Sequence, residues 1–503
     1  MNTISLNYLV DSLKLIKPEI ALSITLVLIV LVDLIMNKDK KFLPYVFVAG
    51  LLVTVYLLIE QFSTSAFAFT TAPNLGMVII DPFGNFFKLL IAFATIIVIM
   101  FSVLSNEIKE GLDRQGEYYA LMSGMILGMF LMASSADLIL IYVSLELVSL
   151  SSYVLAGFNK NHVRNSEASL KYVIYGGISS GIMLFGISIL YGLTGSTNLY
   201  EINSLIQASQ VHGLTFIVAS VLIFVGMGFK ISAAPFHFWT PDVYEGSPIP
   251  ITAYLSIASK AAGFALLIRF IKITFIQSVD PNGFWHLLNV IDWKTFFIII
   301  SILTMTLGNF AALWQNNMKR LLAYSSIAHA GYLLLGLTVL SNEGIMAIII
   351  YFVVYGIMNL GAFLVVMLIA NKLGSEEIDD YDGLGSKAPF LSVSLAIFLV
   401  SLTGLPPTAG FIGKLYIFMA LVDAKMIAVA VIALLNTVVS LYYYIRVLKH
   451  IFLNDPQKET QVLSTSVASV VFLVVLITPV LLFGIYFTPL VDLAKSSISL
   501  MGF

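Results

Sequence analysis

The chain has no cysteine, only six histidines and only 11% charged residues in 503 positions. Without cysteine it can form no disulfide, no thiolate metal site and no cysteine-ligated iron–sulfur cluster, so any redox chemistry it serves runs in other polypeptides. The histidines are scattered, and no metal-ligand cluster, phosphate loop, dinucleotide fingerprint or catalytic triad can be read. A formal net charge of −2 lacks the basic footprint that nucleic acid requires. The N-terminal stretch MNTISLNYLVDSLKLIKPEI has no basic region followed at once by an apolar run and a small-residue site, so no cleaved signal peptide is expected.

What the chain does have is apolar length. Hydrophobic residues make up 59% and mean hydropathy is +0.97, outside the range of soluble globular domains. Apolar runs of roughly 18 to 25 residues recur throughout, as a hydrocarbon layer about 30 Å thick demands. They predict an all-α polytopic membrane protein of about 14 helices. The first spans are Ala21 to Met36, Phe42 to Glu60, Pro82 to about Asn106, Tyr118 to Ala133, Asp137 to Phe158 and Leu170 to Leu193, with a polar, small-residue loop after the second. Then come Leu214 to Ser232, running into Pro235, Ile251 to Ile271, Phe296 to Trp314, Leu321 to Leu340 and Gly344 to Ala370. The twelfth, Phe390 to Leu421, is interrupted by Gly404-Leu405-Pro406-Pro407, and Met426 to His450 and Ser464 to Phe487 close the set.

Lys38, Lys40, Lys41, Lys109, Arg114, Lys160, Arg164, Lys171, Lys319, Arg320, Lys372, Lys387, Arg446, Lys449 and Lys458 all follow odd-numbered spans. The positive-inside rule places those connections in the cytoplasm and both termini on the opposite side. A weak internal repeat also emerges. Lys230 and Lys414 each lie beside a Gly/Pro interruption and are 184 residues apart, while Glu146 and His329 are 183 apart. A unit of five spans is odd, so two copies must face opposite ways, as in inverted-repeat transporters with one broken helix per copy.

Lysine at mid-membrane is costly and by default suggests ion or proton movement. Tyr142, Glu146, Ser149 and Tyr153 share one face of the fifth span, and Lys230 is the topologically nearest cation for Glu146; a static ion pair between helices is the plainer alternative. Ser256, Ser259, Lys260 and Gly263 form a small polar stripe on the eighth span. Burial and a nearby carboxylate act in opposite directions on a lysine's proton affinity, which is the physical basis of a switch. Ser325, His329 and Tyr332 share a face of the tenth span, where His329 could relay protons or only pack. Lys414, past the break in the twelfth span, would end such a relay. Glu167 and Lys171 read as a helix-end pair, Asp81, Arg269 and Arg446 as anchors near span ends, and His237 and Trp239 as interfacial residues.

These residues sit in GFKISAAPFHFWTPDVYEGSPIPITAYLSIASKAAGFA, SLELVSLSSYVLAGF, SEASLKYVIYGGISSG, KRLLAYSSIAHAGY and LTGLPPTAGFIGKLYIF. Over roughly residues 80 to 450 the chain resembles the antiporter-like, proton-translocating membrane subunits of complex I, the NADH:quinone oxidoreductase, which are related to Mrp-type sodium/proton antiporters. Lys414, where one of these subunits carries glutamate, and an end soon after the last span, without a long lateral helix, narrow the resemblance to one of three.

The resemblance implies that Glu146 and Lys230 form a modulating pair, Lys260 a central relay, His329 a connecting residue and Lys414 a terminal lysine. It implies coupling of NADH-to-quinone electron transfer in other subunits to proton pumping here. No cofactor is expected in this chain; NAD, FMN, iron–sulfur clusters and quinone are expected in partner subunits. Expected partners are further antiporter-like subunits, small membrane subunits and the lipid bilayer of a bacterial inner membrane. An Mrp-type antiporter subunit and a non-transporting scaffold are the alternatives. Expected units are residues 1–115, a first repeat 116–275, a second 276–451 and a last helix within 452–503.

Overall fold

The computed structural model describes residues 6–36, 40–72, 75–109, 114–159, 162–209, 213–288, 291–455 and 465–501. Lys38, Lys160 and Lys458, counted above for orientation, lie outside them. The first part contains α1 (Leu6–Leu15), α2 (Lys17–Ile35), α3 (Leu43–Glu60), α4 (Pro82–Leu104), α5 (Asn106–Lys109), α6 (Gln115–Ser134), α7 (Leu138–Ala156), α8 (Val163–Thr194) and α9 (Leu199–Ser209). Next come α10 (Leu214–Ile231), α11 (Trp239–Gly246), α12 (Ile249–Tyr254), α13 (Lys260–Phe275), α14 (Trp293–Ala312), α15 (Met318–Thr338) and α16 (Asn342–Leu373). The remainder is α17 (Leu384–Lys387), α18 (Pro389–Thr403), α19 (Ala409–Asp423), α20 (Ile427–Phe452), α21 (Val467–Ile485) and α22 (Thr488–Ser497). Two antiparallel hairpins, β1 (Ala66–Ala72) with β2 (Leu75–Ile80) and β3 (Ile276–Val279) with β4 (Trp285–Leu287), complete the set. The first hairpin replaces the loop expected after the second span.

Among the described residues, 13 helices are long and apolar enough to span a membrane, with α12 and α13 counted as one. The interrupted pair α18 and α19 supplies the fourteenth expected crossing in two short pieces. Starts and stops follow local chemistry. Asp81, Asp137, Asn317 and Ser341 accept hydrogen bonds from the first free N–H groups of α4, α7, α15 and α16. Gly195, Gly374 and Gly404 end α8, α16 and α18 in the left-handed conformation.

Burial sorts the helices. Every residue from Ile249 to Phe275 is buried, and α15 and α16 are nearly so, whereas α2, α3, α20 and α21 present apolar faces outward. The helix leading to Lys260 is therefore the innermost one. It is not uniform: Leu255–Ser259 forms a π-helical turn directly before Lys260. Such turns release a backbone group from the regular ladder and tend to sit at functional positions.

Two stretches of the fold match in detail. The long helices α8 and α16 are each 32 residues and both stop at a left-handed glycine. Leu138 N–H donates to the Thr197 carbonyl and Met318 N–H to the Glu376 carbonyl, each at 2.8 Å. Asp137 bridges Asn198, and Asn317 bridges Glu377. The two helix breaks also agree in having a left-handed cap, Ser232 in one and Gly404 in the other, but Lys230 precedes its break and Lys414 follows its own.

Candidate functional site

The five charged or titratable residues singled out from the sequence lie along one interior line. On α7, Glu146 is half-buried, and its Oε1 is enclosed without a hydrogen-bond partner. It makes no ion pair within 4.0 Å among the described residues. The expected direct contact with Lys230 is not formed, because Lys230 instead donates to Ser149 Oγ, one turn along α7, at 3.2 Å. Glu146 still faces the same interhelical space, and α10 ends just past Lys230 at Ser232, whose positive φ breaks the span.

From Lys230 the line passes to α13 through a close approach. A Cβ at Gly263 would stand 2.8 Å from the Ile231 side chain and 3.5 Å from the Lys230 stem, so glycine there lets α13 pack against α10. Gly263 lies one turn from Lys260 on the same face. Lys260 is 1% exposed, and its ammonium donates to the Ser326 carbonyl at 2.8 Å and to Ser326 Oγ. Below it Asn359 donates to Ser256 Oγ at 2.7 Å, leaving Asn359 Oδ1 and Ser259 Oγ buried without partners.

Ser326 is three residues from His329 on α15. The His329 ring stacks 4.8 Å from Tyr355, and its Nδ1 shares a 2.7 Å hydrogen bond with the Tyr351 hydroxyl. Which partner carries the proton depends on the imidazole tautomer. A Cβ at Gly413 would meet the Tyr351 ring at 2.8 Å, so α19 abuts this tyrosine one residue before Lys414. Lys414 donates to the Thr403 carbonyl at 2.7 Å and lies 4.7 Å above the Tyr332 ring, a cation–π placement. The Tyr332 hydroxyl continues to Thr437 Oγ1 at 3.1 Å.

All three lysines are thus held by neutral oxygens. Lys272, also buried, likewise meets a neutral oxygen, Asn342 Oδ1 at 3.4 Å, and the Trp285 ring, whereas three other buried cations have carboxylates. Arg269 is fully buried and forms two 2.8 Å hydrogen bonds to Asp81, with a third to the Ala133 carbonyl at 3.0 Å. Lys88 pairs with Glu19 at 2.5 Å, and Lys319 with Glu376 at 2.8 Å. Asp81 and Arg269, read from sequence as near-surface anchors, are a clamp joining α4, α6 and α13. Trp239, expected at an interface, is 1% exposed, stacks on Tyr172 at 4.5 Å and donates to the Phe229 carbonyl at 2.9 Å, so it closes the broken end of α10 from inside. Arg446 donates to the Leu313 carbonyl at 2.9 Å and to that of Gln315, anchoring α20 to the end of α14. Lys171 does pair with Glu167 at 2.8 Å, but also with Asp242 at 2.7 Å, which shares Arg320 with Glu245.

Ser326, Tyr351, Tyr355 and Asn359 were not singled out from the sequence. Tyr351, Tyr355 and Asn359 repeat every four residues along α16, a polar stripe readable in an otherwise apolar run. Ser326 carried no such signal, because its neighbour Ser325 matched the histidine face equally well.

A helix bundle with cations aligned between broken helices is the arrangement of ion-moving membrane subunits. A family model described as NADH:quinone oxidoreductase/Mrp antiporter, TM, matches residues 135–440, and the chain belongs to this family. It is 48% identical over 493 residues to NADH-quinone oxidoreductase subunit N 2 of Chloroherpeton thalassium, covering 96% of this chain and 94% of that one. To subunit N of Chlorobium chlorochromatii it is 43% identical, with the same coverage of 96% and 94%. Among solved structures, a chain of respiratory complex I from Thermus thermophilus with bound aureothin matches with TM-score 0.76 at 30% identity, over 94% of this chain and 98% of that chain. A chain of the Mrp complex from Dietzia sp. DQ12-45-1b shares the fold, with TM-score 0.80 at 20% identity over 96% of each.

Proposed function

We propose that this chain is the proton-translocating subunit N of an NADH:quinone oxidoreductase, and that protons pass along Glu146, Lys230, Lys260, His329 and Lys414. The observation that carries the reading is that three fully buried lysines are each held by serine or carbonyl oxygens and by no carboxylate. A neutral oxygen can accept from an ammonium, and a serine hydroxyl can also donate to an amine, so gain or loss of a proton need not break the site. Ser326, Tyr351, Tyr355 and the imidazole of His329 supply the exchangeable groups between the second and third lysines. The enclosed but unpartnered atoms Glu146 Oε1, Ser259 Oγ and Tyr355 OH are positions where bridging water would complete the chain.

Proton movement needs a driver, and this chain supplies none. Its lack of cysteine is consistent with nicotinamide, flavin, iron–sulfur and quinone chemistry lying in partner subunits. Glu146 is only half-buried, which supports a neighbouring subunit covering its exposed part, since a carboxylate left toward lipid is unfavourable. The two matched sets of caps and long helices support a five-span repeat, residues 116–275 and 276–451, preceded by 1–115 and followed by 452–503. With the positive connections in the cytoplasm of a bacterial cell, both termini face outward across the inner membrane.

The test is purification of the chain in mild detergent with its partners, identified by mass spectrometry. Co-purification with flavin and iron–sulfur subunits is expected. Recovery with small membrane subunits alone would favour the Mrp-type antiporter. Recovery of a redox complex that pumps at full stoichiometry with Lys260→Ala would leave this chain a scaffold.

A further inference from the structure

A polar route toward Lys260 can be traced from a cavity at the end of the bundle. Between the start of α8, the start of α12 and the end of α16 lies a cavity of about 740 Å³, lined by Glu107, Arg164, Glu245, Lys319, Glu376 and Glu377 among others. It lies on the side of the positively charged connections. Its inner wall is Lys319, 2% exposed, with Nζ 2.8 Å from Glu376 and 2.9 Å from the Ser247 carbonyl. Asn317 steadies the pair, accepting from the Lys319 N–H at 3.0 Å and donating to Glu376 at 3.3 Å and Glu377 at 3.2 Å.

Directly behind this wall is the approach to Lys260. Ser326, which holds Lys260, is seven residues from Lys319, about two turns or ~10 Å along the same face of α15. Polar atoms near these levels include Ser247 Oγ, enclosed without a hydrogen-bond partner, and the Tyr244 hydroxyl, enclosed beside Ser326. A cavity lined by charged groups on one side and a short polar path on the other are separated by one lysine and its carboxylate. Of the other carboxylates lining the cavity, Glu245 is taken by Arg320, and Glu377, held by the same Asn317 amide at 3.2 Å, offers the Lys319 ammonium a second place to dock.

We propose that the Lys319–Glu376 ion pair is a gate between this cavity and the path leading to Lys260. Closed, the lysine stem fills the mouth of the path; open, Lys319 docks on another carboxylate in the cavity and water connects the cavity to Ser326. No covalent bond changes; a hydrated proton enters and is passed to a serine-held lysine. The purpose of the gate rests on the proton-relay reading, but its test does not depend on pumping.

Because the chain has no cysteine, Ala323→Cys places one thiol on this chain behind the wall, between Lys319 and Ser326. The whole complex in inside-out membrane vesicles is exposed to a small cationic methanethiosulfonate, and modification of this chain is followed by mass spectrometry. Labelling is expected to be slow with the native pair and about tenfold faster with Glu376→Gln, as a shift from a minor to a major open population requires. It should be slow again in the reversed pair Lys319→Glu with Glu376→Lys. Assembly is checked by native electrophoresis; if Glu376→Gln does not assemble, the reversed pair alone decides, since a gate predicts protection there and a mere packing role predicts fast labelling. A Glu376→Gln complex that labels no faster than the native one, or a reversed pair that labels fast, would overturn the gate. If the gate behaves as stated while Lys260→Met pumps normally, the relay reading fails and the gate stands.

Discussion

Arg269 and Lys260 lie nine residues apart on one buried helix, yet they are treated in opposite ways. Arg269 meets Asp81 through two hydrogen bonds and the Ala133 carbonyl through a third, while Lys260 meets only the carbonyl and hydroxyl of Ser326. The same division separates Lys88 and Lys319, each with a carboxylate, from Lys230 and Lys414, which have none. A buried cation paired with a carboxylate is held in its charged state; one held by neutral oxygens has no counter-charge to fix it there. The first set ties helices together or, at Lys319 in the gate proposed above, moves between carboxylates, and in the proposed relay the second set changes its proton content.

The contrast can be broken hardest at the clamp. Asp81→Ala leaves Arg269 buried and uncompensated, which should cost about 3–5 kcal/mol and abolish accumulation of the assembled complex. Asp81→Leu with Arg269→Met should restore much of it, because two apolar residues of similar volume need no counter-charge; native electrophoresis of membrane extracts reads both. Gly404→Ala comes next. Gly404 has φ +87°, and a Cβ there would stand 2.8 Å from Lys414 Cδ, so the substitution should cost about 1–3 kcal/mol and displace the terminal lysine. Thermal unfolding and the pumping ratio should both fall.

A smaller effect is expected outside the spans, on α11. Burial pushes the Asp242 carboxyl up, but Lys171 and Arg320 outweigh it and hold it below the usual carboxylate range. A group depressed in this way contributes stability above its unfolded value of about 4, and that contribution is lost as pH falls through the folded value. The purified complex should lose stability on acidification below about pH 4, and Asp242→Asn should flatten that slope. Smallest of all, Asp11→Ala removes a solvent-exposed pair with Lys14 and should change stability by under about 0.5 kcal/mol.

The sequence showed the spans, the broken twelfth helix and all five members of the line, because intramembrane charge is rare enough to stand out singly. It did not show which charges are paired. Asp81 and Arg269 are 188 positions apart, and nothing local to either reveals the other. Glu146 and Lys230 looked like partners on topology, but the hydroxyl of Ser149, a turn away, captures the lysine. The hairpin of β1 and β2 was hidden because its small and polar residues read as a loop, whereas the structure pairs them in an antiparallel ladder.

The most direct measurement is the number of protons moved per electron pair by the intact complex in proteoliposomes, with Lys260→Met beside the Asp81→Leu, Arg269→Met double variant. The account predicts a lowered ratio for Lys260→Met in a fully assembled complex and an unchanged ratio for whatever double variant assembles. An unchanged ratio for Lys260→Met would contradict it, for the unpaired lysines would then be no more than packing.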